Sequence, residues 1–150
     1  IYKAFPEIKS IIHSHSKFAT SWAQALRSIP ILGTTHADYF LSDIPIARQL
    51  EKKELDEYEK NLGQSVVDYF QKYKVNPLNI PAILLPGHGV MVFSNSAKRT
   101  LECAIVLEEI AEMAYYTMRI NPNIEQTELS EILYEKHFER KNGINKYYGQ

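Results

Sequence analysis

The stretch Ile11-Ile12-His13-Ser14-His15-Ser16 constrains this chain more than any other. With Ile8, Ile11 and Ile12 β-branched, it reads as a short buried strand over residues 9–13. On a strand, residues i and i+2 project from one face, about 6.7 Å apart along the chain. His13 and His15 therefore share a face at the strand end. A second apolar run, Ala82-Ile83-Leu84-Leu85, leads into Pro86-Gly87-His88-Gly89 and on to Val90-Met91-Val92-Phe93. This reads as a hairpin, with strands over 82–85 and 90–93. Its glycines let backbone approach closely, and its turn carries His88 to a strand end as well.

A lone His-x-His is as compatible with ordinary hydrogen-bonded histidines as with a ligand pair. Three histidines on two strand ends make a tripod suited to a divalent transition metal, zinc first among them. Neutral imidazoles do not cancel the charge of such an ion, and three of them leave a coordination position open. The ion is then a Lewis acid, useful wherever negative charge develops on oxygen. A closed structural zinc site would draw on several cysteines. The chain has one, Cys103, in an apolar helical stretch where it reads as packing. A single cysteine also excludes an internal disulfide framework and fits a reducing compartment such as the cytoplasm.

The rest of the chain reads as helices around this sheet. Residues 16–27 repeat Ala19, Trp22, Ala23 and Leu26 at helical spacing, with Ser16 as N-cap. Residues 29–32 read as a short strand ended by Gly33, residues 34–40 show no clear period, and residues 41–51 read as irregular. A second helix spans 52–73, its buried stripe Val66, Val67, Phe70 and Tyr73, with Gly63 interrupting it or ending a first short helix. The longest helix runs from about 96 to 119 with Leu101, Ala104, Leu107, Ala111 and Ala114 on its core face. Asn121-Pro122-Asn123 stops it, and a final helix covers about 126–136. The sum is one α/β domain, a sheet of short strands covered by helices. A net charge of −1 shows no nucleic-acid footprint, and no apolar run approaches membrane-spanning length.

Asp38, in Gly33-Thr34-Thr35-His36-Ala37-Asp38, has two readings: a turn or helix-cap residue, or an acid/base carboxylate beside a strand end. His36 is equally a satisfied histidine behind the site. Tyr148 is a packed terminal aromatic or a proton donor to a developing alkoxide, for which its ordinary pKa near 10 needs tuning. His137 carries the same ambiguity. Arg140 and Lys141 suit an anion or a solvated tail.

Four stretches together resemble one family. They are Ile-Ile-His-Ser-His-Ser-Lys-Phe-Ala-Thr-Ser-Trp-Ala-Gln-Ala, Gly-Thr-Thr-His-Ala-Asp-Tyr-Phe, the Gly-His-Gly turn, and Tyr-Tyr-Gly-Gln at the end. They resemble the class II aldolase and epimerase family, over essentially the whole chain, and within it the L-ribulose-5-phosphate 4-epimerases. The resemblance implies a class II aldolase-like three-layer α/β fold with a mainly antiparallel central sheet flanked by helices. It implies that His13, His15 and His88 hold one zinc ion per subunit. It implies that Asp38 and Tyr148 are the acid/base pair, with Tyr148 reaching into a neighbouring subunit's site of a homotetramer. Thr34, Glu59 and His137 match positions near that site. In the family, phosphate-binding loops and an acidic residue near the metal precede the His-x-His strand. Only Ile1 to Ile12 precede it here, so the expectation is about two-thirds of the domain, its N-terminal part missing.

The implied reaction converts L-ribulose 5-phosphate to D-xylulose 5-phosphate, a step that arabinose and ascorbate catabolism would share. Carbon 4 carries no acidic C–H, so deprotonation cannot invert it. Retro-aldol cleavage of C3–C4 can, with the ion stabilising the enediolate, followed by re-addition to the other face of the aldehyde. Two acid/base groups on opposite faces suit that chemistry. The alternatives are an aldolase that releases both fragments and a non-catalytic scaffold on the same domain.

Overall fold

The computed structural model describes residues 1–125, 128–144 and 146–147. Three strands, β1 (Ser10–Ser14), β2 (Ala82–Leu85) and β3 (Gly89–Ser94), form an antiparallel sheet in the order β1-β3-β2. The helices are α1 (Lys17–Gln24), α2 (Thr34–Ala37), α3 (Tyr58–Tyr73), α4 (Ala97–Ile120) and α5 (Glu128–Asn142), and a 3-10 helix covers Lys52–Glu57. Side-chain alternation along the strands separates two cores. Ala82, Leu84, Val90 and Val92 pack with Trp22 and Ala23 of α1 and with Leu107, Ile110 and Ala111 of α4. Ile83, Leu85 and Phe93 point the other way, onto Leu62, Val66 and Phe70 of α3. Helices thus cover both faces of the sheet, which gives three layers. It also explains why β2 is apolar at every position, since neither of its faces meets water.

The β2–β3 connection is the expected hairpin. The His88 N–H donates to the Leu85 carbonyl at 3.0 Å, and Gly87 has φ +66°. Proline at the first central position and a left-handed glycine at the second are the features of a type II turn. The Gly87 N–H donates to the Ala23 carbonyl at 3.0 Å, which ties the turn to α1. Helix α1 is anchored at its other end by α4. The Glu108 carboxylate accepts from the Phe18 and Ala19 N–H groups at 2.7 and 3.0 Å. Ser16 occupies the N-cap position, yet its side chain makes no capping bond.

Several local expectations are corrected. Residues 29–32 form no strand. Ile29 makes a single bridge to Ile44, and Pro30 has no N–H with which to extend a ladder. Residues 34–40 contain α2. The second helix breaks at Glu57, not at Gly63, which lies inside α3. The break follows from Glu54, whose carboxylate is drawn to the Glu51 N–H and to both terminal nitrogens of Arg48, each at 2.8 Å. Tyr73 and Leu101 are both 55% exposed. In α4 the buried stripe is Thr100, Cys103, Leu107, Ile110, Ala111 and Ala114. Helix α5 extends six residues beyond the expected end at 136, to Asn142, whose amide donates to the carbonyls of Asp38 and Phe138.

His36 is buried at 3% exposure, and burial lowers its pKa to about 4, against the opposing effect of its bond to the Ser42 carbonyl at 2.9 Å. An unfolded imidazole takes up its proton near 6.5, whereas the folded one stays neutral until about 4. Between those values the unfolded chain holds more protons, so acidification favours unfolding. Stability is expected to fall by about 3 kcal/mol from pH 7 to pH 4 on account of this residue, at about 1.36 kcal/mol per unit. Urea titrations of the parent and of His36→Gln should show the variant losing less stability over that range. Parallel losses would rule the burial effect out.

Candidate metal centre

The tripod lies at the C-terminal end of β1. His13 stands opposite Met91 in the β1–β3 register, which puts it on the α3 side of the sheet. His15 follows on the same face, and the type II turn delivers His88 from across the sheet. The three imidazole rings stand nearly perpendicular to one another in T-shaped contacts, with centroids 4.8–5.1 Å apart and interplanar angles of 79–87°. One ligand atom from each lies within 4.8 Å of the others, so the cluster could hold a metal ion. Nε2 of His13 and Nε2 of His88 are 3.2 Å apart. Two nitrogens on a tetrahedral zinc ion, each at about 2.0–2.1 Å, would stand about 3.3–3.4 Å apart. The remaining leg belongs to His15, which is exposed.

Hydrogen bonds behind the rings set their orientation. His13 donates its Nδ1–H to the Val90 carbonyl at 3.0 Å, which leaves Nε2 with a lone pair facing the centre of the tripod. Nδ1 of His88 lies 2.6 Å from the Tyr58 hydroxyl, with the two rings nearly parallel. A second hydrogen bond of this kind fixes which nitrogen of a metal-binding histidine is free to ligate. Burial and the neighbouring His13 and His15 hold the His88 pKa below its ordinary value, which favours the neutral form that ligation needs. Gly89 is what lets the strands close here. A Cβ at this position would lie 2.5 Å from the Ser14 carbonyl oxygen and 2.8 Å from Cδ2 of His15.

Asp38 belongs to a second cluster, with His137 and Arg140. Asp38 caps the C-terminus of α2, and its carboxylate takes Nδ1 of His137 at 3.0 Å and the Arg140 guanidinium at 3.3 and 3.4 Å. The three side chains are each less than a quarter exposed. Thr34 opens α2, and its carbonyl accepts the Asp38 N–H at 2.9 Å. Glu59 lies in the first turn of α3 and is exposed. Tyr148 lies outside the described residues. Sequence reasoning missed Tyr58 and Glu108. Each serves a partner 30 or more residues away, a pairing for which neither position carries a local signal.

Among the described residues no helix is long and apolar enough to cross a membrane. The family model described as Class II Aldolase and Adducin N-terminal domain matches residues 1–115. The L-ribulose-5-phosphate 4-epimerases UlaF of Salmonella paratyphi A (strain ATCC 9150 / SARB42) and Salmonella typhi are each 42% identical to this chain over 151 residues. Those matches cover all of this chain, which spans 64% of the length of these relatives. Among solved structures, an L-fuculose 1-phosphate aldolase matches with a TM-score of 0.69 at 17% identity, covering 90% of this chain and 57% of that one. The L-fuculose 1-phosphate aldolase from Glaciozyma antarctica PI12 matches at 0.64 and 18% identity, covering 91% and 47%. At such identities the structural likeness speaks for the fold alone.

Proposed function

The chain belongs to the class II aldolase and adducin family, and from that premise we propose that it is a zinc-dependent sugar-phosphate epimerase interconverting L-ribulose 5-phosphate and D-xylulose 5-phosphate. The observation that carries this reading is the 42% identity, over the whole chain, to relatives named for that reaction. The donor set supports the metal, since His13, His15 and His88 each bring one ligand nitrogen within 4.8 Å of the others. His13, His15 and His88 would hold the ion, which when bound supplies Lewis acidity to oxygen where negative charge develops.

The chain's own residues do the rest. Asp38 and Tyr148 take the proton from the C4 hydroxyl on cleavage and return one to the same oxygen on re-addition, one group serving each face of the aldehyde. His137 and Arg140 hold the Asp38 carboxylate by two sides and so fix its direction. Thr34 and Glu59 flank the substrate. The tripod and the Asp38 group are distinct clusters within one chain, which fits sites assembled between the subunits of a homotetramer, with Tyr148 contributed by a neighbour. A cytoplasmic setting suits both a phosphorylated sugar and the lone buried thiol of Cys103.

The test is product analysis after incubation of the zinc-loaded protein with L-ribulose 5-phosphate. D-xylulose 5-phosphate should accumulate without free glycolaldehyde phosphate, and a chelator should stop it. Accumulation of the two cleavage fragments would make the protein an aldolase. Absence of any turnover would leave the scaffold reading.

A further inference from the structure

Tyr58 holds its hydroxyl 2.6 Å from Nδ1 of His88, with ring planes 14° apart and centroids at 5.8 Å. The hydrogen bonds around it allow only certain proton positions. Nδ1 of His13 donates to the Val90 carbonyl, so in neutral His13 Nε2 is an acceptor. The 3.2 Å approach between the two Nε2 atoms then needs the proton to come from His88. A neutral His88 with its proton on Nε2 presents an acceptor at Nδ1, and the Tyr58 O–H donates to it. Ligation through Nε2 of His88 demands the opposite arrangement: the proton on Nδ1 and the Tyr58 oxygen as acceptor. A hydroxyl has one proton and two lone pairs, so it serves both arrangements without moving. A carboxylate could only accept, and a phenyl ring could do neither.

We propose that Tyr58 is a positioning residue whose hydroxyl reverses from donor to acceptor as His88 changes tautomer to ligate a metal. This rests on the metal reading of the tripod. The surroundings keep the hydroxyl in place for both roles. Tyr58 is the first residue of α3, directly after the 3-10 helix Lys52–Glu57. That junction is braced on both sides. Arg48 grips Glu54 with two bonds of 2.8 Å and reaches Asp68 of α3 at 3.2 Å. Asn61, one turn into α3, donates from its side chain to the Glu54 carbonyl at 2.8 Å. The hydroxyl is therefore presented by a rigid corner, and little ordering remains to be done when the metal arrives.

The experiment compares the parent, Tyr58→Phe and Tyr73→Phe, the last removing a hydroxyl from the exposed end of the same helix. Zinc affinity is read by competition with a chromophoric chelator. The His88 tautomer is read from imidazole nitrogen shifts of metal-free and zinc-loaded protein, and circular dichroism checks the fold. Tyr58→Phe should bind zinc about 10–100-fold more weakly, the range for loss of a partner behind a ligand. Its metal-free His88 should show mixed tautomers, whereas the parent should switch from Nε2–H to Nδ1–H on loading. Tyr73→Phe should match the parent. Unchanged zinc affinity and unchanged nitrogen shifts in a folded Tyr58→Phe would overturn the proposal. If the parent takes up no zinc while its metal-free tautomer still depends on Tyr58, the metal reading fails, and with it the reversal, leaving a static hydrogen bond.

Discussion

If the tripod binds the proposed metal, His88→Ala is expected to abolish that binding while leaving the sheet folded. His88 sits on a turn whose path is set by Pro86, by the left-handed Gly87 and by the bond from the Gly87 N–H to Ala23, none of which involves the imidazole. Removing one of three ligands should weaken metal binding by more than the roughly 10–100-fold typical of losing a hydrogen-bond partner behind a ligand. His13→Ala and His15→Ala should behave alike. Gly89→Ala should mimic them without replacing a ligand. Its new methyl would collide with the Ser14 carbonyl and the His15 ring, so either the strands part or His15 leaves. Metal content after dialysis against buffered zinc, together with circular dichroism, checks all four variants. A folded His88→Ala that retains the parent's stoichiometry and affinity would place the metal elsewhere.

Asp38→Asn should keep both fold and metal and lose most turnover. A positioned acid or base contributes about 10²–10⁴-fold, or roughly 3–5 kcal/mol at 1.36 kcal/mol per factor of ten. The structure sharpens the alternative. Asp38 also joins α2 to α5 through His137 and Arg140, with little exposure on any of the three. A carboxylate that only braces those helices would show itself differently when made an amide: a lower melting temperature, with turnover nearly intact well below it. Measuring kcat in the cold alongside the melting curve separates the two roles. Tyr148→Phe belongs in the same assay, with a comparable loss expected. Each variant should be followed for epimerisation and for C3–C4 cleavage separately, because groups proposed to serve opposite faces need not impair both directions equally. An Asp38→Asn protein that epimerises at the parent rate would reduce Asp38 to a helix cap.

What the sequence by itself determined is the local geometry. The period of two along Ile11–His15 puts His13 and His15 on one face whatever surrounds them. Pro86-Gly87 encodes the turn that exposes His88, because proline presets one dihedral and glycine alone accepts the next without strain. Strand-long apolar runs marked the buried strands of the sheet, and the Asn121-Pro122 stop ends α4 one residue from the expected end.

Tertiary structure decided which distant pieces meet. Nothing local to Tyr58 says that its hydroxyl will find His88, thirty residues on, because a 3-10 segment clamped by Arg48 sets its position. Asp38 and His137 lie 99 residues apart and meet only once α5 docks on α2. The core face of α4 excludes Leu101 for a related reason. Its apolar residues lie on more than one side of the helix, and the contact with α1 and the sheet chooses the side that includes Cys103, Leu107 and Ile110. Periodicity follows from backbone rise and twist, which each residue carries with it. Pairing across the chain is set by which buried surfaces fit together, and that is a property of the assembled cores.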